Sequence, residues 1–149
     1  MSSWQIEPFV GVGPLTFGMA RDSVRQQLNE EPRVIVRKVG HPPLEQYPRS
    51  GLQAYYDSLG RLELVAFYPH GLVEIGGIEL LGRELDAVLR DLARVGLSAR
   101  DDGVGDIMYD SQGFGLYIEG GEIASVSAFS REYANRKLAG GGTKPGSVG

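Results

Sequence analysis

The chain has 149 residues, 42% of them hydrophobic, and a formal net charge of −4, which fits one domain with a conventional core. It contains no cysteine, which excludes disulfides, thiolate metal sites and cysteine nucleophiles and argues against a small stapled secreted scaffold. Charge is unevenly spread, with residues 1–56 summing to +1, residues 57–122 to −8 and residues 123–149 to +3, and so acidic a centre argues against duplex nucleic acid as a ligand.

In chain order, residues 21–28 predict a first helix, because Val24 and Leu28 sit four apart on one face and Asp22 suits the positive end of the helix dipole. Glu31-Pro32 ends it, since a residue before proline avoids the α region. The β-branched run 33–39 predicts a strand. Residues 40–48, holding Pro42, Pro43 and Pro48, are expected to be a loop, because proline cannot supply a central ladder. Residues 52–57 and 61–68 predict a hairpin about Ser58-Leu59-Gly60, and residues 72–75 a further short strand after Pro69-His70-Gly71. A second helix over 83–95 sets Leu85, Val88, Leu89, Leu92 and Val95 at helical spacing, with Gly96 as its stop. Strands are expected at 107–109, 114–119 and 122–129, the last two joined by the two-residue loop Gly120-Gly121. The glycine-rich tail 140–149 is expected to be flexible.

One order of elements occurs twice. Phe17-Gly18 and Leu81-Gly82 each precede a short helix and then strands, and an offset of 64 aligns Gly18 with Gly82, Val24 with Val88 and Leu28 with Leu92. The expected fold is therefore α+β: one domain over 1–139 in two helix-then-antiparallel-strand halves, 10–78 and 79–130, with both helices packed on one face of an antiparallel sheet.

Little in the chain reads as catalytic. His41 and His70 fall in predicted loops without carboxylate spacing suited to a metal, and no serine has a Gly-x-Ser-x-Gly setting. Gly11-Val12-Gly13-Pro14 lacks the following Lys-Ser or Lys-Thr of a phosphate loop, and its proline removes a backbone donor. Asp101-Asp102-Gly103-Val104-Gly105-Asp106 has aspartate, not glycine, at the sixth position of a calcium loop and Gln112 at the twelfth. No cofactor and no metal are expected.

The run Gly11-Val12-Gly13-Pro14-Leu15-Thr16-Phe17-Gly18-Met19-Ala20-Arg21-Asp22-Ser23-Val24 resembles the opening of a group of uncharacterised bacterial proteins that read Gly-x-Gly-Pro, an apolar pair, Gly-Met-Thr and a helix with valine. It is also similar to the start of the SmpA/BamE-like assembly lipoproteins and of the tandem-repeat β-lactamase-inhibitory proteins. That resemblance implies helices on a small antiparallel sheet and action by binding other proteins. Ala20 stands where those families carry a helix-capping threonine, and the lipid-bearing cysteine and disulfides are missing.

The expected function is a non-catalytic, protein-binding domain of the immunity type, an inhibitor that neutralises a basic toxin domain in the cytoplasm. The alternative is a small-ligand-binding domain or enzyme with a pocket between helices and sheet. Monomer and homodimer both remain open. No signal peptide and no membrane partner are expected, because residues 1–7 lack a basic start and an apolar run. The expected partner-binding residues are the carboxylates Asp101, Asp102, Asp106, Asp110 and Glu119 with Tyr109 and Tyr117 beside them, since acids attract a basic partner and tyrosine is enriched in interfaces.

Overall fold

The computed structural model describes residues 4–68, 72–101 and 106–139. His70, Asp102 and the tail expected to be flexible lie outside the described residues.

The chain begins with strand β1 (Trp4–Glu7) and a tight hairpin of β2 (Gly11–Val12) and β3 (Leu15–Thr16). Gly13 turns this hairpin at φ 58°, where a side chain would also strike the Trp4 ring. Helix α1 (Arg21–Leu28) follows, then four strands: β4 (Arg33–Ile35), β5 (Leu44–Tyr47), β6 (Leu52–Tyr56) and β7 (Leu62–Phe67). The pattern then repeats. A short hairpin of β8 (Val73–Ile75) and β9 (Ile78–Glu79) leads to helix α2 (Leu85–Arg94). Four more strands come next: β10 (Arg100–Asp101), β11 (Asp106–Tyr109), β12 (Phe114–Glu119) and β13 (Glu122–Phe129). Helix α3 (Arg131–Ala139) closes the described chain. None of these helices is long and apolar enough to cross a membrane.

These strands form two sheets. One has five strands in the order β3-β2-β1-β8-β9, and the other has eight in the order β10-β11-β12-β13-β7-β6-β5-β4. In the larger sheet two antiparallel meanders meet back to back at β7 and β13, with Val65 opposite Ala128 and Phe67 opposite Val126.

Both helices are entered through the same backbone frame. Gly18 N–H donates to Leu62 O and Leu62 N–H returns to Met19 O; Gly82 N–H donates to Ile123 O and Ile123 N–H returns to Arg83 O. Ala20 bridges Arg61 and Glu84 bridges Glu122, so each helix start is tied to the head of a strand. Neither start has a side-chain cap, which matches the absence of a threonine at position 20. Gly18 and Gly82 hold φ 99° and 76°, a region that other L residues enter only under strain.

The expected α+β layering is corrected here: the chain is mostly β, with two sheets and three short helices among the described residues. The reason is one of width. Eight strands span about 38 Å at the usual spacing, whereas two helices side by side cover about 20 Å. Only Val24 of α1 and Val88 and Leu92 of α2 are fully buried. The rest of the inner face is covered by the five-stranded sheet, whose Ile6, Val12, Leu15, Val73 and Ile75 share one core with Tyr47, Phe67, Phe114 and Val126.

A second correction concerns residues 40–48. The segment expected to be a loop contains β5, a central strand between β4 and β6. Pro43 and Pro48 flank it, so every residue from Leu44 to Tyr47 keeps the N–H its ladders need. The first helix ends at Asn29, in the left-handed region at φ 50°, before the expected Glu31-Pro32 stop. The glycine hairpin and helix stop agree with expectation: Gly120 and Gly121 both have positive φ, and Gly96 follows α2 at φ 86° with its N–H on Ala93 O.

Candidate protein-binding groove

Alternation along the larger sheet sorts its residues into an inner face on the core and an outer face. One outer row crosses seven strands in register: Arg33, Gln46, Gln53, Ala66, Ser127, Gly115 and Met108. At its centre Ala66, Ser127 and Gly115 are small, so the middle of the face is recessed. Helix α3 does not fill the recess. Its Ala134 and Tyr133 pack on Leu64, Ala66 and Phe129 at one margin, and the Phe129 and Tyr133 rings lie 5.3 Å apart. Ser130 starts that helix, its hydroxyl accepting the Tyr133 N–H at 3.0 Å.

The result is a groove of about 680 Å³ whose floor includes Tyr55, Leu64, Ala66 and Ser127 and whose walls carry Arg37, His41, Asp57, Glu63, Tyr133 and Arg136. A smaller recess of about 120 Å³ continues it past Leu64, Ser127 and Tyr133 to Asp106, Met108, Gly115 and Tyr117. A Cβ at Gly115 would lie 2.8 Å from Met108 Sδ, so glycine lets the Met108 side chain lie across this end of the trough.

Most charges in the groove are already paired. Arg136 donates to Glu63 Oε1 at 2.6 Å and lies over the Tyr133 ring. Burial opposes the Asp57 carboxylate, but the Arg61 and Leu59 N–H groups and the Arg61 guanidinium donate to it and hold its pKa below the usual range. Arg37 differs. Its Nε–H donates to Pro42 O at 2.8 Å and its guanidinium lies 5.3 Å from the centre of the Tyr55 ring, yet no carboxylate pairs with it among the described residues. Burial raises the Tyr55 pKa despite Arg37, and burial together with Glu63 pushes Tyr133 up to about 12.

The sequence-predicted site residues divide by face. Asp106 and Tyr117 are registered opposite each other on β11 and β12 and line the smaller recess; Tyr117 is 43% exposed. Tyr109 is on the inner face instead, 1% exposed and stacked on Phe114 at 4.6 Å. Tyr109 stands three positions after Asp106, an odd offset, and strand pleating sends them to opposite faces. Asp110 follows β11 in a turn, and Glu119 is exposed at the far end of β12, outside the groove. Asp101 is placed only as a residue of the edge strand β10, and Asp102 lies outside the described residues.

Sequence reasoning did not place Arg37, His41, Tyr55, Tyr133 and Arg136 in the site; Tyr133 and Arg136 of α3 stand 78 and 81 residues from Tyr55 of β6. Tyr55 carried a usable signal, since it alternates with the inward-facing Ala54 and Tyr56.

On the inner face lies a second polar cluster. Glu45, fully buried on β5, accepts from Arg25 Nη2 at 2.6 Å and Nε at 3.1 Å, and from the Tyr47 and Tyr56 hydroxyls at 2.8 Å each. Burial first, and then the bond to Glu45, drives both tyrosine pKa values upward. No buried polar atom of the cluster is left unsatisfied, and it ties α1 to the sheet; of its members Tyr56 also lines the main groove. Among the described residues no group of three or more His, Asp or Glu side chains is placed to hold a metal ion.

Comparison with protein-family models, curated proteins and solved structures finds no significant match to the chain.

Proposed function

We propose that this chain is a non-catalytic protein-binding domain whose outer sheet face receives a projecting segment of another protein, and that it serves as an immunity-type inhibitor of a basic toxin domain. The observation that carries the reading is the recessed groove floored by Tyr55, Leu64, Ala66 and Ser127, with Tyr133 in its wall. A sheet face this wide ordinarily needs a cover, and tyrosines with an apolar ring and a polar tip are suited to one that comes and goes. The carboxylates in the main groove are held by Arg61 and Arg136, which supports binding over acid–base chemistry. The −8 of residues 57–122 supplies a field that draws in a basic partner before contact.

The test is a comparison of captures at low salt from the native host. Wild-type chain and a groove-filled variant, Ser127→Trp, are used side by side. A specific partner held by wild type and lost by a folded variant supports the reading. A partner set indifferent to the substitution, or none at all, sinks it.

A further inference from the structure

We infer that the Arg37 end of the groove is an anchor for a carboxylate carried by the incoming protein segment, a proposal that rests on the docking reading above. The guanidinium is positioned in advance. Its Nε–H is fixed on Pro42 O at 2.8 Å and its plane is supported by Tyr55 at 5.3 Å, which leaves the terminal nitrogens as donors. The other arginine lining the main groove, Arg136, is occupied by Glu63. Arg37 is the groove-lining arginine that has no carboxylate among the described residues, and His41 lies beside it in the same wall. A guanidinium of this kind matches a carboxylate through two parallel N–H bonds, and a fixed fork loses less entropy on binding than a free one.

The anchor and the acidic field act at different ranges. The field concerns the whole partner and the approach; the anchor concerns one group in the seated segment. A basic partner that presents a single acidic side chain into the groove satisfies both.

The probes are four acetylated alanine pentapeptides. Three are amidated and carry Glu, Gln or Lys at the centre; the fourth repeats the Gln peptide with a free C-terminal carboxylate. Each is titrated into the full chain with the Arg37 Nε–H and the Ala66 and Ser127 amides followed by NMR. The Glu peptide is expected to saturate the Arg37 signal with an affinity at least about tenfold above the Gln and Lys peptides, the scale of a charge-assisted bond. The free-terminus peptide tests whether a chain end serves as well as a side chain; binding by either carboxylate supports the anchor. In Arg37→Gln the preference should vanish while core amides stay unshifted. Equal binding of all four peptides, or a carboxylate preference that survives Arg37→Gln, overturns the anchor and leaves the docking groove standing. Failure of every peptide to move Ala66 or Ser127 overturns both.

Discussion

Glu45 is the centre of the buried polar cluster in the first half. It is an acid buried without exposure on a central strand, and it holds two tyrosine hydroxyls and one arginine. Removing one member of such a pair leaves the others desolvated and unpaired. Glu45→Gln should therefore lower stability by about 3 kcal/mol in chemical denaturation, the lower part of the range because Arg25 still reaches water. A loss under about 1 kcal/mol would mean that the carboxylate adds only packing. Asp57 gives a pH-dependent counterpart. Its folded-state pKa is depressed, so its contribution is complete above the normal carboxylate range and fades as pH falls through the folded value. Asp57→Ala should cost about 1 kcal/mol at neutral pH, and the gap from wild type should narrow on acidification toward pH 3. A gap unchanged with pH would assign the effect to turn shape.

At the scale of elements, the two helix entries are the clearest recurring feature. Gly18 and Gly82 occupy matching places, with positive φ and an N–H on the last of the four strands that follow each helix. An added Cβ would meet nothing within 4 Å at either position, so alanine costs only backbone strain. Gly18→Ala and Gly82→Ala should each destabilise by about 1–2 kcal/mol and by nearly equal amounts. Thermal unfolding of the two variants checks this, and a large inequality would show that the frames are not mechanically equivalent. Residues 17–18 and 81–82 advertised this frame through spacing alone. Strand β5 and helix α3 were harder. Pro42, Pro43 and Pro48 surround β5 closely enough to mask four residues that carry their own donors. For α3 the signal was Ser130 with Glu132 in the first turn, a helix start of ordinary form next to a strand end.

At the scale of the whole molecule, the two functional expectations separate. The proposed function assigns long-range attraction to the acidic second half and seating to the groove. Glu119 and Glu122 are exposed and face each other at the β12–β13 turn. Reversing both, as Glu119→Lys with Glu122→Lys, should slow association with the captured partner about tenfold at low ionic strength and leave the melting temperature nearly unchanged. Stopped-flow mixing at rising salt should erase the difference, because salt screens the field and not the seat. An effect confined to dissociation would place these acids in the contact itself.

Local patterns were enough to determine helices α1 and α2, the β6–β7 and β12–β13 hairpins, the duplicated glycine entry and the acidic bias of the second half, since each depends on neighbours within a few residues. The split of Asp106 from Tyr109 was also implicit in strand pleating. Tertiary structure alone decided the rest. The junction of β7 with β13 joins two meanders into a sheet too wide for its helices, which calls in a second sheet on one face and leaves a groove on the other. Arg37, Tyr55, Tyr133 and Arg136 become neighbours only once that junction forms, because a groove is a property of separated segments brought together and no local spacing encodes it.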